Sequence, residues 1–446
     1  MRLKEHQSAG DLRGLLGESM LKICTRGFEH GRINLLQPEL KNGEVAWTSY
    51  YRIGAEWLDA ECTHPLVVTS KIMDIDFLHM FMTCLTSEVC AATFHGIYDI
   101  EFDAPQITAP GLDSVLTPLL LVQFLSVTEK IASKGLKKGY ITREENLKTI
   151  KGRLMVFPNE RRNVWSGRAD RFACRYDEYS VDTPENRLIK RALLFSQAML
   201  SRLEPHSCHG ALRRKLRRSL AAFEPVSDRI KMSERTFHSR NKLYADYTRA
   251  TSLARMILRR YDFNISNIAD HTDTVPVFRI DMALLFEHYV YALLEQTYGS
   301  DTIIYQAAGT HGRYYADFLY VSPDYRAILD TKYIEFERLR TDDPGVDNPD
   351  STGLPSRSPI RGGIIAQLSG YARDYSILRK LGISPTSTDY VPVVPCIILY
   401  PAVPGGLPPF DPSSPHTFSA QLHPEPNTLK FWRLPVSVPT LKNSDP

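Results

Sequence analysis

The 446 residues, 43% hydrophobic and 10% aromatic, supply ample material for two or three packed domains and exclude a mostly disordered chain. The net charge of +3 is only mildly basic. It hides an asymmetry, because Lys130 to Asp262 holds 31 Lys/Arg against 14 Asp/Glu, which makes that region a candidate surface for an anionic partner.

The chain opens on MRLKEHQSAGDLRG, which lacks the apolar core of a signal peptide. Up to about residue 110, short β-like runs (EVAWTSYYRIGAEWL, HPLVVTSKI) alternate with one helix-like segment, DFLHMFMTCLTSEVCAA. FDAPQITAPGLDS reads as a connector, so an N-terminal β-rich domain over 1–110 is expected. The longest apolar run, Val115 to Val127, contains Pro118 and is too short to span a bilayer. A soluble, cytoplasmic protein with no membrane segment is the expectation.

From 111 to 262 the period becomes helical. TPENRLIKRALLFSQAMLSRL has Thr183 at an N-cap, Pro184 at the first helical position and Glu185 in the first turn. ALRRKLRRSLAAF and NKLYADYTRATSLARMILRRY continue the pattern, giving a basic helical middle domain. Its Arg213, Arg214, Arg217 and Arg218 are either a DNA-backbone contact or a solvated or partner-facing helix face. The seven cysteines include no C-x-x-C pair and read as reduced thiols. Cys208, between His206 and His209, has no second half-site for a metal.

From 263 to 440 helix and strand alternate, as in an α/β domain. A helix (FRIDMALLFEHYVYALLEQTYG) precedes a strand (DTIIYQ) and the hairpin ADFLYVSPDYRAILDTKY. An aperiodic loop at 339–362 follows, then a helix (IIAQLSGYARDYSILRKLG) and a strand (VPCIILYP). In the proline-rich end, LKFWRLPVSV suits an edge strand, where proline is tolerated. The fold class is α+β in three parts.

The hairpin carries the chemistry. With SPDY (322–325) as a type I turn, Val321 faces Arg326, and counting outward sets Asp317 opposite Asp330. Lys332, two residues on, projects from the same face. Facing like charges destabilise a strand pair, and a divalent cation between them reverses the sign. Hard oxygen ligands with retained waters suit Mg²⁺, and a lysine alongside can orient or help deprotonate a metal-bound water and stabilise charge on a phosphate. Two carboxylates and a lysine on a hairpin are the physical content of a PD-(D/E)xK nuclease site, here with Ala316 in the proline position. The bland alternative is an edge hairpin with solvated charges. Glu287 lies among Ala283, Leu284, Val290 and Tyr291 on its helix, so it needs either a metal or an arginine partner. Gln367 and Tyr371, four apart on one helix face, suit either a supporting contact to the site or DNA, or plain packing.

The order DMALLFEHYVYALL, ADFLYV, AILDTKY, IAQLSGYARD resembles the nuclease domain of the McrC family. KGLKKGYITREENLKTIKGRLMV followed by FACRYDEYSVDTPENRLIKRALL resembles the stretch before that domain. The likeness runs from about 110 to 400, while the first 110 residues match loosely around IGAEWL and LVVTSKI. Loop 339–362 and the proline-rich end are longer than is usual in the family. The resemblance implies a restriction-endonuclease-like C-terminal domain and the endonuclease subunit of a McrBC-type system that cuts modified, methylcytosine-type double-stranded DNA. It implies catalysis by Asp317, Asp330 and Lys332, with Mg²⁺ on Asp317 and Asp330; the helix face alone offers Glu287 as a further metal ligand. The implied partner is an AAA+ GTPase ring (McrB-like), into which the N-terminal part docks to stimulate nucleotide hydrolysis. The chain has no G-x-x-x-x-G-K-[ST] loop and is not the motor itself. The alternative function is a non-cleaving activator of such a ring, with a structural nuclease fold.

Overall fold

Strand Arg52–Trp57 carries a glycine, Gly54, for a physical reason: its φ is +142°, and a Cβ there would lie 2.0 Å from the carbonyl oxygen of Phe278. The backbone that approaches so closely belongs to strand Val277–Asp281, more than two hundred residues later. The computed structural model describes residues 1–10, 34–41, 44–59, 61–101, 104–202, 209–229, 245–262, 274–312, 314–323, 325–334, 362–383, 394–402 and 431–440. These form two compact units, one of Met1–Val115 with Thr272–Pro446 and the other of Leu116–His271.

In the first unit a five-stranded sheet runs Arg2–Lys4, Pro65–Thr69, Arg52–Trp57, Val277–Asp281, Tyr98–Glu101. Residues 1–110, expected as a domain of their own, thus share a sheet with a strand that follows them by more than 150 residues. That strand also corrects the expected helix over 278–299, whose first four residues are extended; the helix is Met282–Tyr298. Asp281 caps it by accepting from the Leu284 N–H at 3.0 Å, and Gly299 ends it at φ +84°. Arg279, on the fourth of the five strands, pairs with Glu56 (2.7 Å), Glu101 (2.7 Å) and Asp99 (3.3 Å), so its buried charge is compensated.

The second sheet of this unit runs Ile303–Ala308, Tyr315–Val321, Arg326–Thr331, Cys396–Ala402, Phe431–Ser437. The first three strands are antiparallel, and the last two join in parallel. As expected, Pro435 lies in the edge strand. Leu319, Ile328, Cys396 and Ile398 pack with Leu368, Ala372, Ile377 and Leu378 of helices Gly362–Arg373 and Tyr375–Lys380. One helix was expected across 364–382; Asp374 starts a new one by accepting from the Ile377 N–H at 3.0 Å. Tyr291, on Met282–Tyr298, stacks on Phe318 at 5.9 Å.

The second unit holds helices Pro184–Arg202, His209–Ala222 and Ala245–Asp262, with most of Asp113–Lys134. Thr183 Oγ1 accepts from the Asn186 N–H at 3.3 Å, the cap read from the sequence. Helix Asp113–Lys134 is long and apolar enough to cross a membrane, yet Leu116, Leu119, Leu120, Val122, Phe124, Leu125 and Ile131 are buried, as in a core helix. The region expected to be helical also carries a long antiparallel ribbon, Gly139–Leu147 with Phe172–Ser180. At its tip Phe157 is 83% and Trp165 79% exposed, over a buried Asn163 that exchanges amide hydrogen bonds with Asn146 (2.8 and 2.9 Å). Both units are therefore mixed α and β among the described residues. Most of loop 339–362, the proline-rich stretch 403–430, and His206 and Cys208 lie outside the described residues.

Candidate active site

The hairpin register is the one counted from the turn: Val321 faces Arg326, Tyr320 Ala327, Leu319 Ile328 and Phe318 Leu329. Continued by one step, it sets Asp317 opposite Asp330. Ser322 closes the turn, donating from N–H and Oγ to the Tyr325 carbonyl at 2.9 and 3.0 Å. Strand Arg326–Thr331 is the middle strand of five, which explains why Asp330 has no solvent exposure. The Lys332 N–H continues the parallel pairing by donating to the Leu399 carbonyl at 2.8 Å.

Asp330 Oδ2 forms an ion pair with Lys332 Nζ, while Oδ1 is buried without a hydrogen-bond partner. Burial, then the charge of Asp317, pushes the Asp330 carboxyl up to about 7 against the opposing pull of Lys332. Burial alone would lower the Lys332 ammonium, but Asp330 outweighs it and holds the amine above its usual range. Asp317 Oδ2 accepts from the Thr331 N–H (2.7 Å) and Oγ1–H (2.6 Å), which fixes its carboxylate beside the strand carrying Asp330.

Glu287 joins this group from helix Met282–Tyr298. Burial first, then the charge of Asp317, raises it to about 7, while hydrogen bonds from Gln306 and Tyr305 act the other way. Its observed partners are therefore an amide and a phenol, and the arginine considered from the sequence is not among them. Tyr371 is buried; burial and then the charges of Asp330 and Asp317 raise its phenol against a 2.6 Å hydrogen bond from Gln367 Nε2. Gln367 itself is exposed.

The structure thus brings together Glu287, Asp317, Asp330 and Lys332, with Tyr371 and Gln367 alongside. The four arginines belong to the other unit, on helix His209–Ala222. Arg213 Nη2 donates to the Leu200 carbonyl (3.2 Å), Arg218 lies 3.7 Å from Glu129, and Arg214 and Arg217 are exposed.

Among the described residues no three His, Cys, Asp or Glu side chains converge as a ready-made metal cage. The chemistry of the donor set still fits Mg²⁺, which takes one or two carboxylates and keeps several waters. A fully buried carboxylate oxygen without a partner, facing a second carboxylate, lacks the neighbour that a hard cation supplies.

Residues that the sequence reading missed complete the surroundings. Gln306 and Tyr305 hold Glu287. Two residues past the end of strand Arg326–Thr331, Tyr333 is buried against Phe286 (ring centroids 5.9 Å) and under Lys71. A Tyr-Gln pair in a short strand carries no sequence signal of this kind.

The family described as McrBC 5-methylcytosine restriction system component matches residues 71–351. No curated protein matches the chain. Among solved structures, the chain is similar to one from a refined half-complex of the tetradecameric assembly of Thermococcus gammatolerans McrB AAA+ hexamers with bound McrC. The two are 15% identical over 98% of this chain and 94% of that one, with a TM-score of 0.40. A chain of the Thermococcus gammatolerans McrBC complex determined by cryo-EM is also 15% identical, over 66% of this chain and 86% of that one, with a TM-score of 0.28.

Proposed function

This chain belongs to the family of McrBC 5-methylcytosine restriction system components, and on that premise we propose that it is the Mg²⁺-dependent endonuclease subunit of a restriction system that cleaves methylcytosine-type modified DNA. A McrC-like role follows from the chain's own residues, since it lacks a nucleotide-binding G-x-x-x-x-G-K-[ST] loop and carries a carboxylate–lysine hairpin instead. The motor is then a separate AAA+ GTPase ring, and the first 110 residues are proposed to engage it and stimulate its nucleotide hydrolysis.

One observation carries the reading: Asp330 is wholly buried with an unsatisfied oxygen and has Lys332 at its side, and the register continued one step beyond Phe318–Leu329 puts it across from Asp317. Asp317 and Asp330 would hold the cation, with Glu287 completing the acidic set. When bound, the cation supplies Lewis acidity at the phosphate and makes hydroxide accessible near neutral pH. Thr331 keeps Asp317 oriented through its two hydrogen bonds. Lys332, kept protonated by Asp330, is a poor base and acts as a charged donor, positioning the attacking water and stabilising negative charge on the phosphate. In the hydrolysis the water oxygen bonds to phosphorus, the phosphodiester bond to one sugar oxygen breaks, and that oxygen takes up a proton. Tyr371 and Gln367 border the set and are proposed as supporting or DNA-backbone contacts. Arg214 and Arg217, with Arg213 and Arg218 beside them, are proposed to meet phosphates.

The test is cleavage of methylated and unmethylated duplex DNA with the ring partner, GTP and Mg²⁺, comparing the parent with Asp330→Asn. Loss of cutting by several orders of magnitude, with GTPase stimulation retained, is expected. Undiminished cutting by the variant would leave the activator reading, in which the nuclease fold is structural.

A further inference from the structure

Gln306 has a backbone conformation that strands do not favour. It lies inside strand Ile303–Ala308 with φ +45°, in the left-handed region that residues other than glycine, asparagine and aspartate seldom visit. Pairing with the next strand is intact on both sides, Tyr305 with Phe318 and Ala307 with Ala316, so no residue is inserted. The position skipped in the ladder is the one opposite Asp317.

Consecutive side chains on a strand point to opposite faces. Tyr305 obeys the rule: its ring lies on Tyr291 (4.7 Å) and Phe318 (5.9 Å), on the side of helix Met282–Tyr298. Gln306 should point the other way. Instead its Nε2 donates to Glu287 Oε1 at 3.1 Å, on that same helix, and to the Tyr305 hydroxyl at 3.1 Å. The left-handed turn at Gln306 is what lets two successive residues serve one carboxylate. Backbone strain of this kind persists where the surroundings enforce it, and it concentrates at working sites.

We infer that Gln306 is a positioning residue whose amide, braced by Tyr305, fixes the Glu287 carboxylate toward the Asp317–Asp330 pair and presets the acidic site for its cation. The effect on cleavage rests on the nuclease reading above, whereas the effect on metal binding stands apart from it. An amide at this place can donate to Glu287 without adding a fourth carboxylate to the site. The outer contacts of metal-ligating carboxylates set affinity and activity by roughly 10- to 100-fold.

The experiment uses the full chain and three variants. Gln306→Gly relieves the left-handed backbone and removes the amide. Gln306→Asn accepts that backbone but is one methylene short, and Gln306→Glu keeps the length but loses the donor. Thermal melting is followed across a Mg²⁺ titration, beside cleavage of methylated DNA with the partner ring. Gln306→Gly is expected to melt at or above the parent's temperature without metal. Its Mg²⁺ midpoint should rise roughly 10- to 100-fold, with cleavage recovering in part at high Mg²⁺. Gln306→Asn and Gln306→Glu should shift the midpoint in the same direction. A merely structural glutamine would give the opposite signature, an altered melting temperature with an unchanged midpoint, and that result overturns the inference. So does a parent whose melting is indifferent to Mg²⁺. If the parent binds Mg²⁺ but does not cut, the nuclease reading falls while the titration still decides the role of Gln306.

Discussion

Lys71 Nζ donates to the backbone carbonyl of Tyr333 at 2.5 Å and lies 4.0 Å from the centre of its ring. The residue after the catalytic lysine candidate is thereby tied to the chain immediately following strand Pro65–Thr69. Glu5 completes the clamp: its Oε2 accepts from the Lys71 N–H at 3.0 Å, and Tyr333 hydrogen-bonds its carboxyl. Replacing Lys71 with Met keeps the stem and removes the charge, the donor and the cation–π contact. A loss of about 1–3 kcal/mol is expected, and Lys71→Arg should recover part of it. Chemical denaturation of the two variants measures this, and equal stabilities for Met and Lys would show that the clamp carries no energy.

Asp330→Asn separates stability from chemistry. Without Mg²⁺ the variant should unfold at the same temperature as the parent or above it, because a like-charge pair and a buried charged oxygen are both removed. Lys332, partly exposed, can turn to water when its partner is gone. Lys332→Ala should instead destabilise the metal-free protein, since it leaves Asp330 buried with no cation beside it. Adding Mg²⁺ should narrow that deficit. A melt in which Asn at 330 costs several degrees would contradict the opposed-carboxylate geometry.

The pH dependence has a definite sign. Glu5, Glu287 and Asp330 are raised to about 7 in the folded chain, from ordinary values of 4.5 for the glutamates and 3.8 for the aspartate. Burial is the first cause in each case. A raised folded value means that the native state holds protons which the unfolded chain has released. These groups therefore contribute stability that is fully present below about pH 4 and is lost as pH rises through about 7. Metal-free protein should melt higher at pH 5.5 than at pH 7.5. Mg²⁺ should reduce the difference, and Asp330→Asn should shrink it. Melting curves across this window in EDTA and in Mg²⁺ decide the matter.

The arginine helix should act unequally. Arg213 is half-buried and donates to the Leu200 carbonyl, whereas Arg214, Arg217 and Arg218 are exposed, Arg218 lying 3.7 Å from Glu129. If the helix meets DNA, Arg214→Gln with Arg217→Gln should flatten the plot of log affinity against log salt by roughly 0.9 per lost phosphate contact. A slope identical to the parent's would assign the cluster to solvent or to a protein partner.

The hairpin was legible because a Ser-Pro-Asp-Tyr turn fixes register locally, and register alone decides which aspartates face each other. Thr183 and Pro184 announced a helix start for the same local reason. What escaped notice depends on distance or on unfavourable conformation. The FRID run merges into the apolar pattern of the helix after it, and nothing nearby says that Arg279 will meet Glu56, Glu101 and Asp99 from another part of the chain. Gln306 turns against its own strand period, which periodicity cannot anticipate. Lys71 and Tyr333 are linked only once two sheets have formed.

The late strand Val277–Asp281 also constrains how the protein is made. Its neighbours, Arg52–Trp57 and Tyr98–Glu101, leave the ribosome long before it does, and until it arrives each has an unpaired edge on that side. At elongation speeds of about 5–20 residues per second, Arg52–Trp57 waits roughly 10–45 s for its partner. During that interval Gly54 leaves an open groove where Phe278 will lie, and Glu56 is without its arginine. Nascent chains stalled before residue 277 should therefore draw chaperones to the first hundred residues. Chains stalled beyond residue 281, with enough further length to clear the exit tunnel, should not.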